Sequence, residues 1–145
     1  MLSTDKIKDL LSHGENRQVE FKKCTDKVSA SVYETVCSFL NAEGGYIFLG
    51  VDDDGAILGI NPKCVTDMTK SIINTLNNPE LFLPPMPITP EQTEVDGKII
   101  LLLNVPESEQ VHRYKNRFYD RWGDADNDVS KHTYLVKNMF MRKEK

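Results

Sequence analysis

The segment that decides the fold is GGYIFLGVDDDG, residues 44–55. It opens with two glycines, continues as an apolar run from Tyr46 to Val51, and ends in three aspartates and a glycine. An apolar run of this length is typical of a strand that is covered on both faces. Asp and Gly favour the backbone angles of a tight turn. The segment therefore predicts a buried strand that delivers carboxylates to a surface turn.

The flanking sequence predicts helices and strands in mixed order, from apolar spacing and from capping, glycine and proline signals. The predicted helices are residues 3–11, 29–40, 65–76 and 129–141. The predicted strands are residues 18–22, 46–51, 56–60, 98–105 and two short strands within 111–122 around Lys115-Asn116. Residues 56–60 are expected to return as a hairpin on residues 46–51, and residues 93–98 to form a tight hairpin turn. The prolines between Pro79 and Pro90 predict an extended connector, with Leu81, Phe82, Leu83 and Met86 packed. Because these elements do not alternate strictly, the expected class is α+β, with a mixed, partly antiparallel sheet packed by helices.

The size and composition indicate one folded domain. The chain has 145 residues, of which 39% are hydrophobic and 28% are charged, values within the globular range. We expect residues 1–145 to form a single domain, with the option that it is the N-terminal module of a longer protein. The cysteines Cys24, Cys37 and Cys64 are odd in number and lack metal-binding spacing, which favours free thiols in a reducing cytoplasm. The sequence contains no apolar run of membrane-spanning length, so no membrane partner is expected.

Charge is distributed unevenly along an acidic chain of net charge −4. Residues 1–110 carry 9 Lys and Arg against 17 Asp and Glu, whereas residues 111–145 carry 9 against 5. The basic part contains cations interleaved with aromatic residues: Arg113, Tyr114, Lys115, Arg117, Phe118, Tyr119, Arg121 and Trp122. Cations beside aromatic rings are typical of nucleic-acid binding by phosphate pairing and base stacking. The same residues also fit a β-hairpin with buried aromatics and solvated cations, and both interpretations stay open.

Carboxylates form a second candidate site. Glu15 and Glu20 bracket one predicted strand, and Asp53 lies in the turn after another. If the two strands are neighbours, these three carboxylates could converge on a magnesium or manganese ion that activates water. The alternative is that Glu15 caps a turn, Glu20 pairs with Lys22, and the aspartates only form a turn. The sequence predicts no cofactor other than this magnesium or manganese ion. It also lacks the Walker A pattern of phosphate-binding loops.

Several ordered motifs resemble one known family. They are ENRQVEFK (residues 15–22), SFLNAEGGYIFLGVDD (residues 38–53), Gly55, Gly59, Val105-Pro106 and YDRWG (residues 119–123). Together, over roughly residues 10–140, they resemble the Schlafen-type AlbA domain, a predicted DNA-binding module also labelled divergent AAA. One departure is Leu40, where the family commonly has alanine.

The resemblance implies a cytoplasmic, bacterial-type protein in which this module is part of a transcriptional regulator or an ATP-binding protein. DNA or structured RNA would be its partner, with Arg113, Lys115, Arg117, Tyr119 and Arg121 as the contact residues. Schlafen ribonucleases carry a three-carboxylate site, and its residues match Glu15, Glu20 and Asp53 as catalytic metal ligands. Those enzymes hold RNA in a groove between two module copies, so a comparable groove here would require a homodimer.

Three alternative functions are therefore expected, in decreasing order of preference. The first is a nucleic-acid-binding module, and the second is a metal-dependent endoribonuclease. The third is an ATP-binding module that holds phosphate through Gly44-Gly45 or the loop after Trp122. The acidity of the chain and its single module copy favour binding over catalysis.

Overall fold

Helices and strands follow one another irregularly in the computed structural model, which describes residues 2–144. The helices are α1 (Thr4–Ser12), α2 (Ala30–Asn41), α3 (Val65–Leu76) and α4 (Thr133–Lys143). The strands are β1 (Val19–Lys22), β2 (Gly45–Leu49), β3 (Phe82–Leu83), β4 (Glu91–Val95), β5 (Lys98–Val105), β6 (Arg113–Tyr114), β7 (Tyr119–Trp122) and β8 (Ala125–Asp128). The α+β prediction is confirmed.

A mixed four-stranded sheet in the order β1-β2-β5-β4 forms the centre of the molecule. β1 runs parallel to β2, whereas β5 runs antiparallel to both of its neighbours, β2 and β4. The β4–β5 hairpin closes at Asp96 and Gly97, which both adopt positive φ, as a tight hairpin turn requires. The predicted turn at residues 93–98 and the predicted strand at residues 98–105 are therefore confirmed.

The sheet carries a hydrophobic cluster on each face. On one face, Ile47 and Leu49 of β2 pack with α2 and α3. On the other face, Phe48 of β2 packs with Ile7 and Leu11 of α1. Successive residues of a strand point to opposite faces, so a continuous apolar run is required when both faces are covered. The prediction that β2 is buried on both sides is confirmed.

The glycines before β2 allow two close backbone approaches. A Cβ atom on Gly44, whose φ is +75°, would lie 2.5 Å from the carbonyl oxygen of Val105. A Cβ atom on Gly45 would lie 2.5 Å from the carbonyl oxygen of Gln18. These contacts bring β2 tightly between β1 and β5, and only glycine leaves room for them.

Two local predictions are corrected. Residues 56–60 form no strand on β2. They return only as far as one bridge between Val51 and Ile57 and two hydrogen bonds, from the N–H groups of residues 58 and 59 to the carbonyl of residue 50, and Ile60 then donates its N–H to the carbonyl of Ile99 at 2.7 Å. Gly59 adopts a φ of +84° where the hydrogen-bond partner changes from Gly50 to Ile99 of β5. In the proline-rich connector Phe82 is fully buried as expected, but Leu83 is 37% exposed because alternate residues of β3 face opposite sides.

Helix α4 is held against the end of α2 by its last basic residues. Arg142 donates to the carbonyl of Asn41 at 2.8 Å, and Lys143 donates to the carbonyl of Leu40 at 3.1 Å. The last carbonyls of a helix have no partner within the helix, so these two cations satisfy the C-terminus of α2. Within residues 2–144, no helix has the length and apolarity needed to cross a bilayer.

Candidate nucleic-acid interface and carboxylate cavity

Glu15, Glu20 and Asp53 line one cavity of about 620 Å³. The sheet explains this convergence, because β1 and β2 are parallel neighbours and the aspartate turn follows β2 on the same side. Glu15 is oriented at the cavity wall by the backbone N–H of Phe21, which donates to its Oε2 at 3.0 Å. We name this the carboxylate cavity.

The carboxyl group of Glu20 is buried and strongly perturbed. Its Oε1 accepts a hydrogen bond from Arg121 at 2.9 Å, and its Oε2 lies 3.6 Å from Nζ of Lys22. Burial, followed by a hydrogen bond with Glu15, raises the pKa of Glu20 from an ordinary 4.5 to about 8, against the opposing effects of Lys22 and Arg121. The desolvated site therefore favours the neutral form of the Glu20 carboxyl group.

Asp53 is an exposed turn residue, and its backbone N–H donates to Oδ1 of Asp52 at 2.8 Å. Within residues 2–144, no three or more His, Cys, Asp or Glu side chains are arranged to hold a metal ion. Glu20 faces Arg121 and Glu15 faces the backbone of Phe21. The structure thus brings the predicted ligands to one cavity without gathering them at one coordination point.

Lysines also line the carboxylate cavity, and the sequence analysis did not identify them. They are Lys22, Lys23 and Lys27, from the end of β1 and the segment that follows it. Lys23 pairs with Asp52 at 3.6 Å, and its side chain is 61% exposed. The adjacent lysines Lys22 and Lys23 at the end of a predicted strand were the available signal, because the end of β1 lies beside the aspartate turn. The cavity thus combines carboxyl groups with cations that could contact a polyanion.

Arg121 is completely buried, so the prediction that it contacts nucleic acid is corrected. Its guanidinium donates to Glu20 at 2.9 Å, to Asp126 at 2.8 Å and to the carbonyl of Asn16 at 2.7 Å. It also lies over the ring of Phe39 at 4.7 Å. Asp126 in turn accepts hydrogen bonds from two residues of α2, Thr35 and Ser38. Arg121 therefore joins β1, α2 and the β7–β8 pair in the interior.

The other predicted contact residues surround an exposed turn. Lys115 and Asn116 adopt positive φ values of 49° and 63°, and Lys115 and Arg117 are exposed. Two short strands flank this turn as predicted, but β6 pairs with β3 and β7 pairs with β8, so they are not a hairpin. A single bridge between Tyr114 and Arg117 closes the turn. We name residues 113–119 the basic turn.

Side chains of the basic turn differ in their availability. Arg117 pairs with Asp128 at 3.3 Å, with both side chains open to solvent, and Nζ of Lys115 lies 5.4 Å from the ring centre of Tyr114. Arg113 is half-buried in β6. Tyr119 is also half-buried, and burial, followed by the charges of Glu34 and Asp128, raises its pKa to about 12. Lys115 and Arg117 are thus the most accessible cations of this segment.

The glycine pair Gly44-Gly45 is not arranged as a phosphate-binding loop. Gly44 donates its N–H to the carbonyl of Phe39 at 2.8 Å, and Gly45 is part of β2 opposite Val105. A phosphate-binding loop needs backbone N–H groups that point at the ligand. These glycines serve the close approach of β2 to its neighbours, which corrects the prediction that they could hold ATP.

Comparison with solved structures places this architecture among known folds. The N-terminal domain of a RecG-related protein from Nitrosomonas europaea, named for an ATP-dependent DNA helicase, is 24% identical with a TM-score of 0.54, and the match covers 74% of each chain. The DIP2311 protein from Corynebacterium diphtheriae is 15% identical with a TM-score of 0.63, and the match covers 92% of this chain but 30% of that one. At these identities the similarity concerns the fold.

Sequence comparison adds the family. The motifs that shape the site are the glutamates around β1, the glycines and aspartates around β2, and the buried arginine of β7. All of them lie within residues 15–130, the part of the chain that matches the family described as Schlafen, AlbA_2. That match covers most of the chain and includes both the carboxylate cavity and the basic turn, so this protein belongs to the Schlafen AlbA_2 family.

Proposed function

We propose that this domain is a nucleic-acid-binding module, with duplex DNA as its ligand, and that it serves a transcriptional regulator. The observation that carries the proposal is the basic turn, where Lys115 and Arg117 stand exposed at a tight bend between two short strands. The RecG-related structure is named for a DNA helicase, and we propose the same class of ligand here.

The basic turn suits phosphate contacts for a physical reason. The backbone of Lys115 is fixed by its N–H, which donates to the carbonyl of Leu81 at 2.8 Å. Arg117 holds a solvent-exposed ion pair with Asp128, and such pairs contribute only about 0–1 kcal/mol. Exchanging this carboxylate for a phosphate therefore costs little. Arg113 and Tyr119 flank the turn and complete the proposed contact set.

The test is fluorescence anisotropy with a labelled DNA duplex over a range of salt concentrations. We expect affinity to fall steeply with salt, because each phosphate contact adds roughly 0.9 to the slope of log K against log salt. Replacing both Lys115 and Arg117 by Ala should lower that slope by about two. The matched control replaces the exposed Lys63 and Lys70 by Ala, which removes the same charge elsewhere. If the two double variants bind alike, the basic turn is not the interface.

A ribonuclease is the second candidate, favoured by the carboxylate cavity. There Glu15, Glu20 and Asp53 share a wall with Lys22, Lys23 and Lys27, so carboxyl groups and phosphate-attracting cations face the same space. A groove formed by two copies would require a homodimer of this chain, which analytical ultracentrifugation would detect.

Structured RNA incubated with magnesium, with manganese and with a chelator tests this candidate. We expect cleavage with one of the two metals, and its loss in Asp53→Asn. Asp54→Asn is the matched control, because Asp54 lies in the same exposed turn outside the cavity wall. Intact RNA under all conditions at high protein concentration would eliminate the ribonuclease and leave the DNA-binding proposal standing.

A further inference from the structure

A second cavity, of about 310 Å³, lies beside the basic turn and is lined by Arg117, Asp128, Lys131 and His132. These residues come from separate parts of the chain: the end of the basic turn, the end of β8, and the segment that leads into α4. The motifs of the sequence analysis included neither Lys131 nor His132. We name this the cationic cavity.

The fold fixes the backbone from which these side chains extend. Val129 donates its N–H to the carbonyl of Phe118 at 2.9 Å, and Phe118 donates its N–H to Oγ of Ser130 at 2.7 Å. His132 donates its N–H to the carbonyl of Val129 at 2.8 Å. These bonds tie residues 128–132 to the strand that follows Arg117. The backbone of the cationic cavity is therefore pre-organised, and a ligand would order only its side chains on binding.

Charge in the cationic cavity favours an anion. Arg117 and Lys131 each carry a positive charge, and His132 adds ring N–H donors. Asp128 is the single carboxylate among the lining residues and already pairs with Arg117 at 3.3 Å. Although burial opposes it, hydrogen bonds from Ser130 and the charges of Arg117 and Lys131 hold the pKa of Asp128 below its ordinary value. The resident carboxylate thus occupies the place that a stronger anion could take.

We propose that the cationic cavity binds one phosphate group of a nucleic-acid strand that crosses the basic turn, an inference that rests on the proposed function. Lys131 and His132 extend the interface beyond the turn, and Arg117 belongs to both. Asp128 competes with the phosphate for Arg117, and a doubly hydrogen-bonding arginine favours phosphate as a partner. The site reads the backbone and carries no base specificity.

Duplex DNA binding by the full chain tests the proposal through anisotropy at several salt concentrations. Lys131→Ala should weaken binding about fivefold at about 0.15 M salt and lower the salt slope by roughly 0.9, the share of one phosphate contact. His132→Ala should weaken binding as well. Asp128→Asn should strengthen binding, because it removes the competing charge. The matched control is Lys70→Ala, an exposed lysine of α3.

The outcomes separate this proposal from the previous one. If the wild-type chain binds DNA but Lys131→Ala and His132→Ala bind no worse than Lys70→Ala, the cationic cavity is not a phosphate site and the DNA-binding module stands. If the wild-type chain binds no DNA, both proposals fall. Inorganic phosphate followed by amide NMR gives an independent reading: shifts at residues 117, 131 and 132 but not at residue 70 are expected, and their absence contradicts the proposal.

Discussion

Replacing Arg121 by Ala should test the buried ionic network that organises this fold. The guanidinium is fully buried and contacts the carboxylates of Glu20 and Asp126 at 2.9 and 2.8 Å. It also donates to backbone carbonyls of the segment around β1, including that of Asn16. Every buried side-chain nitrogen and oxygen in residues 2–144 has a hydrogen-bond partner. Removing Arg121 would leave several of these acceptors without a donor.

The expected magnitude follows from burial. Removing one partner of a buried ion pair costs about 3–5 kcal/mol, because the remaining charges are left uncompensated. For a chain of this size each kcal/mol lowers Tm by about 2–4 °C, so Tm should fall by roughly 6–20 °C. By contrast, Arg117 is surface-exposed and paired with Asp128, and its replacement by Ala should cost less than about 1 kcal/mol. Arg117→Ala is therefore the matched control.

Urea unfolding followed by circular dichroism measures both variants. A third variant combines Arg121→Met with Glu20→Gln and Asp126→Asn, and replaces the arginine and both of its acidic partners together. It should recover much of the loss, because an apolar side chain with neutral neighbours leaves no buried charge unpaired. If Arg121→Ala loses less than about 1 kcal/mol, like the surface control, the network does not organise the fold.

Three further outcomes are expected. Because the pKa of Glu20 is raised, the folded state keeps a proton that the unfolded state releases, and the free energy of unfolding should fall as pH rises from about 4.5 to about 8. Urea titrations across that range should show a flatter pH dependence for Glu20→Gln. Asn41→Ala should cost about 1–3 kcal/mol in the same assay, because the buried amide bonds His112 and the carbonyl of Tyr119. Gly44→Ala should lower Tm by calorimetry, since its Cβ would meet the carbonyl of Val105, and an unchanged Tm would contradict that close approach.

Regular elements could be predicted because their signals are local. α3 and β5 match the predicted bounds of residues 65–76 and 98–105, since apolar spacing and the flanking proline and glycine signals lie within the segments themselves. The course of residues 56–60 could not be predicted from such signals. Their alternation fits a strand, but β5 already pairs with the adjacent edge of β2 and β1 with the other. Pairing partners are a property of the whole sheet.

The position of Arg121 in the candidate site could not be predicted from local sequence signals either. Residues 113, 115, 117, 119 and 121 alternate, so in one uninterrupted strand their side chains would share one exposed face. The positive φ values of Lys115 and Asn116 break that continuity. β7 then pairs with β8 instead of β6 and packs on α2, which places Arg121 inside. Of the predicted contact cations, Lys115 and Arg117 at the bend are the exposed ones, so the proposed interface depends on them.

Glu20 links the carboxylate cavity to the stability of the fold. Its carboxyl group lines the cavity, yet one oxygen is bound to Arg121 and the other lies near Lys22. Any cavity ligand that draws this carboxylate outward must therefore compete with the buried arginine. Glu15 lacks that constraint, because among the described residues it contacts the backbone N–H of Phe21 and the carboxyl group of Glu20 but no arginine. A ligand of the cavity should consequently depend on both residues, whereas stability should depend far more on Glu20. Comparing Glu15→Ala with Glu20→Ala near pH 4, below both pKa values of Glu20, separates the two roles. Equal losses of stability would show that the arginine does not distinguish them.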